Sequence, residues 1–431
     1  MKTLLIAILS VALILTGCQT TTPSQSFKVS VDPENPCANK KPDNNKELVI
    51  GTYGDYTNYF FYFSEQINTD ISVYQESWGQ HHQDITQNLK VCRQLADIEI
   101  VDAFVLQGLL NKNYFVDLTE KFAPLKNDIL EFAVAFGQDT DKTQRAIPID
   151  AGPAMMFYRR DLMQDLGFKP EQVLADWDSW IEYGKNLRDN HNRYLIDNVN
   201  DVVETIIYGS TQKNGYVYID ENNNILIEDE RIKFAFNIAK ILTDENLVAN
   251  TGKWNDNWYK GFKQAQFATV VESFNLITQI ESWIAPKTSG KWGASIIPNE
   301  TYAQLSGGYA VIPKGNQKED EAWKVIKYVL QANNQINAYL MFDELLFPTN
   351  IKTYEHDIFL SKNAFLGDQQ FKKLVAHTAQ NIKPLSTHKL DSIAKTLVIH
   401  TALQQVINGE ATIDSALKQA SEDLAKRIRF Y

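Results

Sequence analysis

The chain has 431 residues, with 42 Lys and Arg residues against 53 Asp and Glu residues, so its formal net charge is −11 at pH 7. This acidic balance argues against nucleic acid or an anionic lipid surface as the main partner, because both carry negative charge themselves. The length is large for one hydrophobic core and favours two lobes.

The first segment predicts an export signal that ends at a lipid-bearing cysteine. Lys2 supplies a positive charge, and an apolar run follows from Leu4 to Leu15. Because a membrane span needs about 20 apolar residues, this shorter run fits a cleaved signal peptide. The segment Leu15-Thr16-Gly17-Cys18 resembles the bacterial lipobox, which implies removal of residues 1–17 and a lipid on Cys18. An ordinary secretory signal with a chance cysteine is the alternative.

Residues 18–46 are rich in Pro, Asn, Ser and Thr. Such a composition cannot bury a core and predicts a tether between the lipid and a folded part that begins near Glu47. No later segment is apolar enough for a membrane span. We therefore expect an exported, membrane-anchored lipoprotein that faces the periplasm or the cell surface, with the choice between inner and outer membrane open.

Cys37 and Cys92 are the cysteines that remain besides Cys18. In an oxidising compartment they form a disulfide that joins the tether to the first helix, or they stay as two free thiols. The 7 His residues show no ligand spacing such as HExxH, and no phosphate-binding or dinucleotide-binding glycine motif is present. We expect neither a metal nor a cofactor.

Short apolar segments alternate with helical patterns along the folded part. The predicted strands lie at 48–51, 71–75, 98–105 and 307–313, and further strand-like units lie at 146–150 and 154–163. The predicted helices are one that ends near Leu95, those at 176–188, 231–242 and 319–332, and a last one that Thr412 caps. Asp176 is the expected N-cap of the second of these helices. The alternation predicts α/β lobes with mainly parallel sheets.

Several segments in chain order carry a resemblance to a known family. They are ELVIGTYG (47–54), ESWGQHHQDITQNL (76–89), ADIEIVDAFVLQGLLNKNYFVDLTEKF (96–122), AIPIDAGPAMMFYRRDLMQDLGF (146–168), SGKWGASIIP (289–298), LSGGYAVIPKG (305–315), LFPTN (346–350) and GEATIDSALKQASEDL (409–424). Together they resemble the family 1 extracellular solute-binding proteins, the maltose-binding-protein-like receptors of ABC importers.

The resemblance implies a two-lobe periplasmic-binding-protein fold, type II-like, with a hinge and a ligand cleft between the lobes. The N-lobe would combine residues 46–150 with about 302–345, and the C-lobe would combine 151–301 with about 346–431. The chain would cross between the lobes at Ile149 to Ala151 and again near Asn299 to Leu305. The resemblance also implies a monomer that is not an enzyme.

A sugar has apolar C–H faces and a rim of hydroxyl groups, so its recognition needs flat aromatic rings together with carboxylates. Tyr53 and Asp55 follow the first predicted strand, where α/β sheets present loops to ligands. Asp102 ends an apolar strand, where ligand contact competes with helix capping. Asp150 lies at the predicted hinge and either contacts ligand or holds the crossing.

Other candidates depend more on the resemblance. Trp78 lies in a matching segment, with core packing as the alternative. If their segment is helical, Trp254 and Trp258 share a face, either as a stacking platform or as a packed pair. The family's ligand-facing positions correspond to Glu272 and Phe274 and, in its Gly-Gly-aromatic segment, to Gly308 and Tyr309.

The leading hypothesis is a lipid-anchored receptor that captures a sugar or oligosaccharide and delivers it to the transmembrane subunits of an ABC permease. One alternative is a glycan-acting periplasmic hydrolase, although no nucleophile and base pattern supports it. Another is a sensor with the same fold that docks on a membrane kinase or chemoreceptor.

Overall fold

The computed structural model describes residues 47–429 apart from 55, 68, 92, 94 and 342–345. The predicted signal peptide, the tether, the lipid site at Cys18 and the possible bond between Cys37 and Cys92 lie outside the described residues. Within the described part, no helix has the length and apolar character that a membrane crossing requires.

Strands and helices alternate over most of the described chain. The strands are β1 (Leu48–Tyr53), β2 (Ile71–Glu76), β3 (Ile98–Asp102), β4 (Ile147–Pro148), β5 (Gly152–Arg159), β6 (Tyr194–Ile196), β7 (Phe267–Ser273), β8 (Trp292–Ser295), β9 (Gln304–Ser306) and β10 (Gly308–Val311). The α-helices are α1 (Tyr56–Ile67), α2 (Trp78–Lys90), α3 (Ala103–Leu110), α4 (Thr119–Phe122), α5 (Glu131–Phe136), α6 (Arg160–Asp165), α7 (Pro170–Val173), α8 (Trp177–His191), α9 (Asn200–Ser210), α10 (Glu230–Asp244), α11 (Asp256–Gln264), α12 (Leu276–Gln279), α13 (Glu319–Val329), α14 (Ala332–Met341), α15 (Phe371–Asn381), α16 (Asp391–Lys395), α17 (Leu403–Ile407) and α18 (Ile413–Ile428). Two π-helical segments lie at Ile280–Ile284 and Thr396–Ala402. Short 3-10 segments lie at Lys126–Asp128, Pro286–Thr288, Pro298–Glu300, Ile351–Glu355 and Asp357–Leu360.

The first sheet has the strand order β2-β1-β3-β10-β4. β1 runs parallel to β2 and β3, whereas β10 runs antiparallel to β3 and β4. α1 covers this sheet with Phe60 and Phe63, which are fully buried. Truncating such a ring to alanine commonly costs about 3–5 kcal/mol, so this packing makes the sheet a firm support for the loops at its edge.

The second sheet has the order β6-β7-β5-β8, and β9 pairs with β5 outside that path. β5 runs antiparallel to β7, β8 and β9, and β6 and β7 form the parallel pair. The prediction of mainly parallel sheets is therefore wrong for this sheet. The alternation of patterns in the sequence indicates the order of strands and helices. The direction of a strand depends on the end of the sheet at which the chain re-enters it, which the alternation does not specify.

The chain passes between the sheets at two closely spaced places. β4 belongs to the first sheet and β5 to the second, so one passage lies at residues 149–151. β9 pairs with the second sheet and β10 with the first, so the other passage lies at Gly307, just beyond the segment where it was expected. The Ala151 backbone forms an antiparallel bridge with Phe347, which brings the chain after α14 to the same place.

The predicted helices are largely confirmed in position. Asp176 accepts the N–H of Ser179 at 2.7 Å as the N-cap of α8, and Thr412 caps α18 in the same way at 3.2 Å. The helix expected to reach Leu95 is shorter and ends at Lys90 as α2.

Candidate functional site

A cavity of about 1170 Å³ lies between the first and the second sheet. On the side of the first sheet, its wall contains Tyr53, Tyr56, Trp78, Asp102, Phe104 and Asp150. On the side of the second sheet, its wall contains Asp201, Lys253, Trp254, Glu272, Ser273, Phe274 and Trp283. Gly307 lies at the passage between the two sides. The structure thus brings residues that are far apart in sequence to one concave surface, the usual form of a small-molecule site.

Three wall residues stand where the strands of the first sheet end. Tyr53 is the last residue of β1, Asp102 is the last residue of β3, and Trp78 is the first residue of α2 after β2. Because these strands are parallel, their carboxyl ends meet at the same edge of the sheet, where α/β folds hold ligands. The topology therefore brings these three residues, each predicted separately from the sequence, to one edge of the sheet.

Asp102 caps a helix and also lies on the cavity wall, so its position is compatible with both roles that the sequence left open. Its carboxylate accepts the N–H of Phe104 at 2.9 Å and so caps α3, and the residue also lines the cavity. Only 6% of the residue is exposed. Burial raises the pKa of Asp102 to about 6, although the hydrogen bond from Phe104 favours the charged form. A carboxyl group whose pKa lies near neutral pH can accept a hydrogen bond from a hydroxyl group or donate its own proton to one.

Asp150 occupies the passage from the first sheet to the second. Its Oδ1 accepts the backbone N–H of Phe347 at 2.6 Å, and its Oδ2 lies 3.1 Å from the hydroxyl of Tyr56. Burial raises the pKa of Asp150 to about 8, against the effect of both hydrogen bonds. The residue therefore lines the cavity and holds the passage at the same time.

An ionic cluster forms the opposite wall. Lys253 lies 2.6 Å from Asp201 and forms a very short contact with Glu272. Burial disfavours the ammonium, but the carboxylates of Glu272, Asp201 and Asp197 outweigh that effect and raise the pKa of Lys253. Among the described lining residues, Lys253 is the single basic side chain. It stays charged and largely neutralised by its partners, and it can donate to an oxygen in the cavity.

Three indole rings contribute flat apolar surface to the wall. Trp78, Trp254 and Trp283 line the cavity, and each is about half exposed, at 51%, 50% and 51%. They come from α2, from the loop before α11 and from a π-helical segment. Trp254 has a positive φ of 58°, a conformation that a bulky residue adopts only under strain. Half-exposed indoles in a cavity are surfaces available for stacking.

Trp258 does not reach the cavity, which corrects its placement among the ligand contacts. It is fully buried, and its Nε1 donates to Asp197 Oδ2 at 2.7 Å. Its ring lies 4.8 Å from that of Trp254, which is the member of the pair on the wall. The two rings differ because Trp258 lies inside α11, whereas Trp254 precedes its N-cap, Asn255.

The prediction that Gly308 and Tyr309 contact the ligand is also corrected, because neither residue lines the cavity. Tyr309 is fully buried, and its ring lies 5.9 Å from that of Phe136 in a hydrophobic cluster that also contains Val101 of β3. Adjacent strand residues point to opposite faces, and the pairing of Tyr309 with Val101 places its ring in this cluster and not in the cavity lining. A Cβ on Gly308 would lie 2.2 Å from Tyr56 Oη, so this glycine makes room for the tyrosine that bonds to Asp150.

Of the remaining predicted site residues, two line the cavity and one is not described by the structure. Glu272 and Phe274 line the cavity at and after the end of β7, whereas Asp55 lies outside the described residues. The sequence did not single out Asp201 or Lys253, because neither stands in a distinctive motif and their contact exists only in three dimensions. In the described ranges, no group of three or more His, Cys, Asp or Glu side chains is arranged to hold a metal ion.

Comparison with known proteins identifies the family. A family model for bacterial extracellular solute-binding proteins matches residues 63–365. The lactose-binding protein of Rhizobium radiobacter is 25% identical over 272 residues, which are 61% of this chain and 58% of that protein's length. The arabinooligosaccharide-binding protein of Bacillus subtilis (strain 168) is 20% identical over 381 residues, 85% of this chain and 86% of that protein.

The crystal structure of an extracellular solute-binding protein of family 1 has the same fold. Its TM-score is 0.77 at 23% identity, and the match covers 89% of this chain and 99% of that one. The two-lobe α/β fold expected from the sequence is therefore confirmed. Because the family model spans well over half of the chain, this protein belongs to the bacterial extracellular solute-binding proteins.

Proposed function

We propose that this protein captures a neutral sugar or oligosaccharide in the cavity and delivers it to an ABC permease. The observation that carries the proposal is the combination of three half-exposed indoles with carboxylates from both sides of one cavity. The rings match the C–H faces of a sugar, and the carboxylates accept its hydroxyl hydrogens. The lactose-binding and arabinooligosaccharide-binding relatives support this ligand class.

The charge of the wall favours a neutral ligand over an acidic one. The acidic lining residues are Asp102, Asp150, Asp201, Glu272 and Glu281. Lys253, the one basic residue in the described part of the lining, is already paired. An anion would lose its hydration and meet carboxylates without a free cation, which is unfavourable at short range. The volume of about 1170 Å³ exceeds the usual 300–1,000 Å³ of small-ligand pockets and favours an oligosaccharide.

The proposed mechanism is a shift between an open and a closed form. A sugar that touches both walls binds the closed form more tightly and therefore stabilises it. The lobes would be residues 46–150 with about 302–345, and 151–301 with about 346–431, and they would move about the passages at residues 149–151 and at Gly307. The closed, sugar-loaded monomer would then dock on the permease, near which the lipid on Cys18 and the tether keep it.

A thermal-shift screen tests the ligand class. Lactose, an arabinooligosaccharide and maltotriose form the neutral arm, and digalacturonic acid and spermidine form the charged arm. A neutral ligand at 100 times its Kd should add about 2.7 kcal/mol to the free energy of unfolding. A flat response to all neutral sugars, or a shift only with digalacturonic acid, would contradict the proposal.

Two variants and a labelling experiment sharpen the test. Trp254→Ala removes a ring on the wall and should markedly reduce the shift, whereas Phe234→Ala removes a ring that is 46% exposed on α10, outside the cavity wall, and should leave the shift unchanged. Incorporation of labelled palmitate into the natural chain, but not into Cys18→Ala, tests the anchor.

A further inference from the structure

A buried imidazole connects three parts of the cavity wall. His82 lies on α2, one turn after Trp78, and is 4% exposed. Its ring centre lies 4.7 Å from the ring of Trp78 and 4.7 Å from the ring of Tyr53. Its Nε2 lies 2.9 Å from the backbone nitrogen of Asp102. One side chain therefore contacts the wall residues that follow β2, β1 and β3.

The hydrogen bonds of His82 require one neutral tautomer. Nδ1 lies 2.6 Å from the carbonyl oxygen of Trp78, which can only accept, so Nδ1 carries the hydrogen. Nε2 faces the backbone N–H of Asp102, which can only donate, so Nε2 offers its lone pair. A second proton would place two N–H groups against each other. Burial in addition lowers the pKa of His82 to about 4, with the bond to Trp78 opposing and His81 reinforcing the effect.

The topology explains why the Asp102 amide needs this acceptor. β3 pairs with β1 at Ile98 and Glu99, and Asp102 lies beyond that ladder. On its other side, β3 pairs with β10 through Asp102 and Gly308. A buried N–H without a partner costs free energy, and the imidazole supplies the partner that β1 does not.

We propose that His82 is a positioning residue of the cavity wall, which fixes Trp78, Tyr53 and Asp102 relative to one another without touching the ligand itself. His82 is absent from the cavity lining, whereas its three partners belong to it. The consequence for sugar affinity rests on the proposed function. The consequence for the wall does not, because it concerns contacts between side chains of the protein itself.

The adjacent histidine is a matched control. His81 is fully buried on the same helix, and its Nε2 lies 2.8 Å from the carbonyl oxygen of Ile100. The carbonyl can only accept, so His81 carries its hydrogen on Nε2, opposite to His82. The hydrogen-bond partner of His81, Ile100, lies in the interior of β3 and not on the cavity wall, and the ring of His81 lies 5.9 Å from that of Tyr53, against 4.7 Å for His82.

The first measurement needs no ligand. Long-range ¹H–¹⁵N spectra of the histidine rings at pH 7 should show His82 protonated on Nδ1 and His81 on Nε2. Amide exchange at Asp102 should accelerate at least about tenfold in His82→Phe, which lacks the acceptor, and far less in His82→Gln, whose amide oxygen can replace Nε2. An Nε2–H tautomer for His82, or unchanged exchange in His82→Phe, would overturn the proposal.

The second measurement is sugar affinity by calorimetry, with lactose, an arabinooligosaccharide and maltotriose as probes. His82→Phe should raise Kd about tenfold, and His82→Gln should retain most of the natural affinity. His81→Gln should lower Tm while changing Kd less than about twofold. Equal loss of affinity in His81→Gln and His82→Phe would assign both residues a merely structural role. If the natural chain binds none of the probes, the proposed function fails, and the exchange data still decide whether His82 holds the wall.

Discussion

Replacing Asp150 by Asn should remove a pH dependence from the stability of this protein. Asp150 is 6% exposed and lies between the hydroxyl of Tyr56 and the backbone N–H of Phe347. In its neutral form the carboxyl can accept from Phe347 and donate to Tyr56, so protonation fits both contacts. Asn offers the same pair of groups, an oxygen for Phe347 and an N–H for Tyr56, without the ability to ionise.

The sign and the size follow from the pKa of Asp150. Burial raises it to about 8 in the folded chain, against about 3.9 for an unfolded Asp. Between these values the folded protein holds a proton that the unfolded chain releases, so the free energy of unfolding falls as pH rises. The natural chain should lose about 1.4 kcal/mol per pH unit relative to Asp150→Asn. The loss begins near pH 4 and ends near pH 8, at roughly 5.5 kcal/mol in total.

Urea denaturation followed by tryptophan fluorescence at pH 5, 6, 7, 8 and 9 measures the difference. Other buried acids, such as Asp197 and Asp391, titrate in both proteins and cancel. Asp178→Asn, at an exposed position in the first turn of α8, is the control and should follow the natural chain. Parallel curves for Asp150→Asn and the natural chain would refute the reasoning and show that Asp150 is ionised in the fold.

Three further outcomes are expected. Trp254→Ala should weaken sugar binding roughly 30-fold, about 2 kcal/mol, with little loss of stability. Trp258→Ala should instead cost about 3–5 kcal/mol of stability, because that ring is fully buried. The reverse pattern in calorimetry and denaturation would contradict the assignment of the two rings. Lys253→Met leaves two carboxylates facing each other and should destabilise the fold by roughly 1.5–3 kcal/mol at pH 7, and an unchanged urea midpoint would show that the cluster is solvated. Gly308→Ala would push a Cβ to 2.2 Å from Tyr56 Oη, so we expect a loss of about 1–3 kcal/mol in the same assay, and a stable variant would mean that Tyr56 moves freely.

The two walls of the cavity differ in their electrostatics. On the first, burial raises the pKa of Asp102 to about 6 and that of Asp150 to about 8, so these carboxyls can change charge near neutral pH. On the second, the carboxylates of Glu272 and Asp201 lie against Lys253 and raise the pKa of its ammonium group. A sugar between them would meet neutralisable acids on one side and a fixed ionic cluster on the other.

Local patterns along the chain sufficed for many elements. Helix α8 could be placed because Asp176 is a good N-cap and the apolar residues after it repeat with helical period. Asp102 could be singled out because a carboxylate directly after an apolar strand must stand at its end or be buried at a cost. Both signals depend on neighbours within a few residues, which the sequence contains in full.

Long-range contacts decided the rest. The rings of Trp254 and Trp258 look equivalent in sequence, and only packing beside Asp197 buries one and leaves the other on the wall. Tyr309 is buried in the core, because its pairing with Val101 of β3 determines the face of the sheet to which its ring points. His82 gains its place from contacts with three separate strand ends. The sequence by itself determined the family, several helices and the acidic and aromatic character of this protein. The tertiary structure decided which of those side chains share one cavity, because that depends on strand direction and register, which no local pattern encodes.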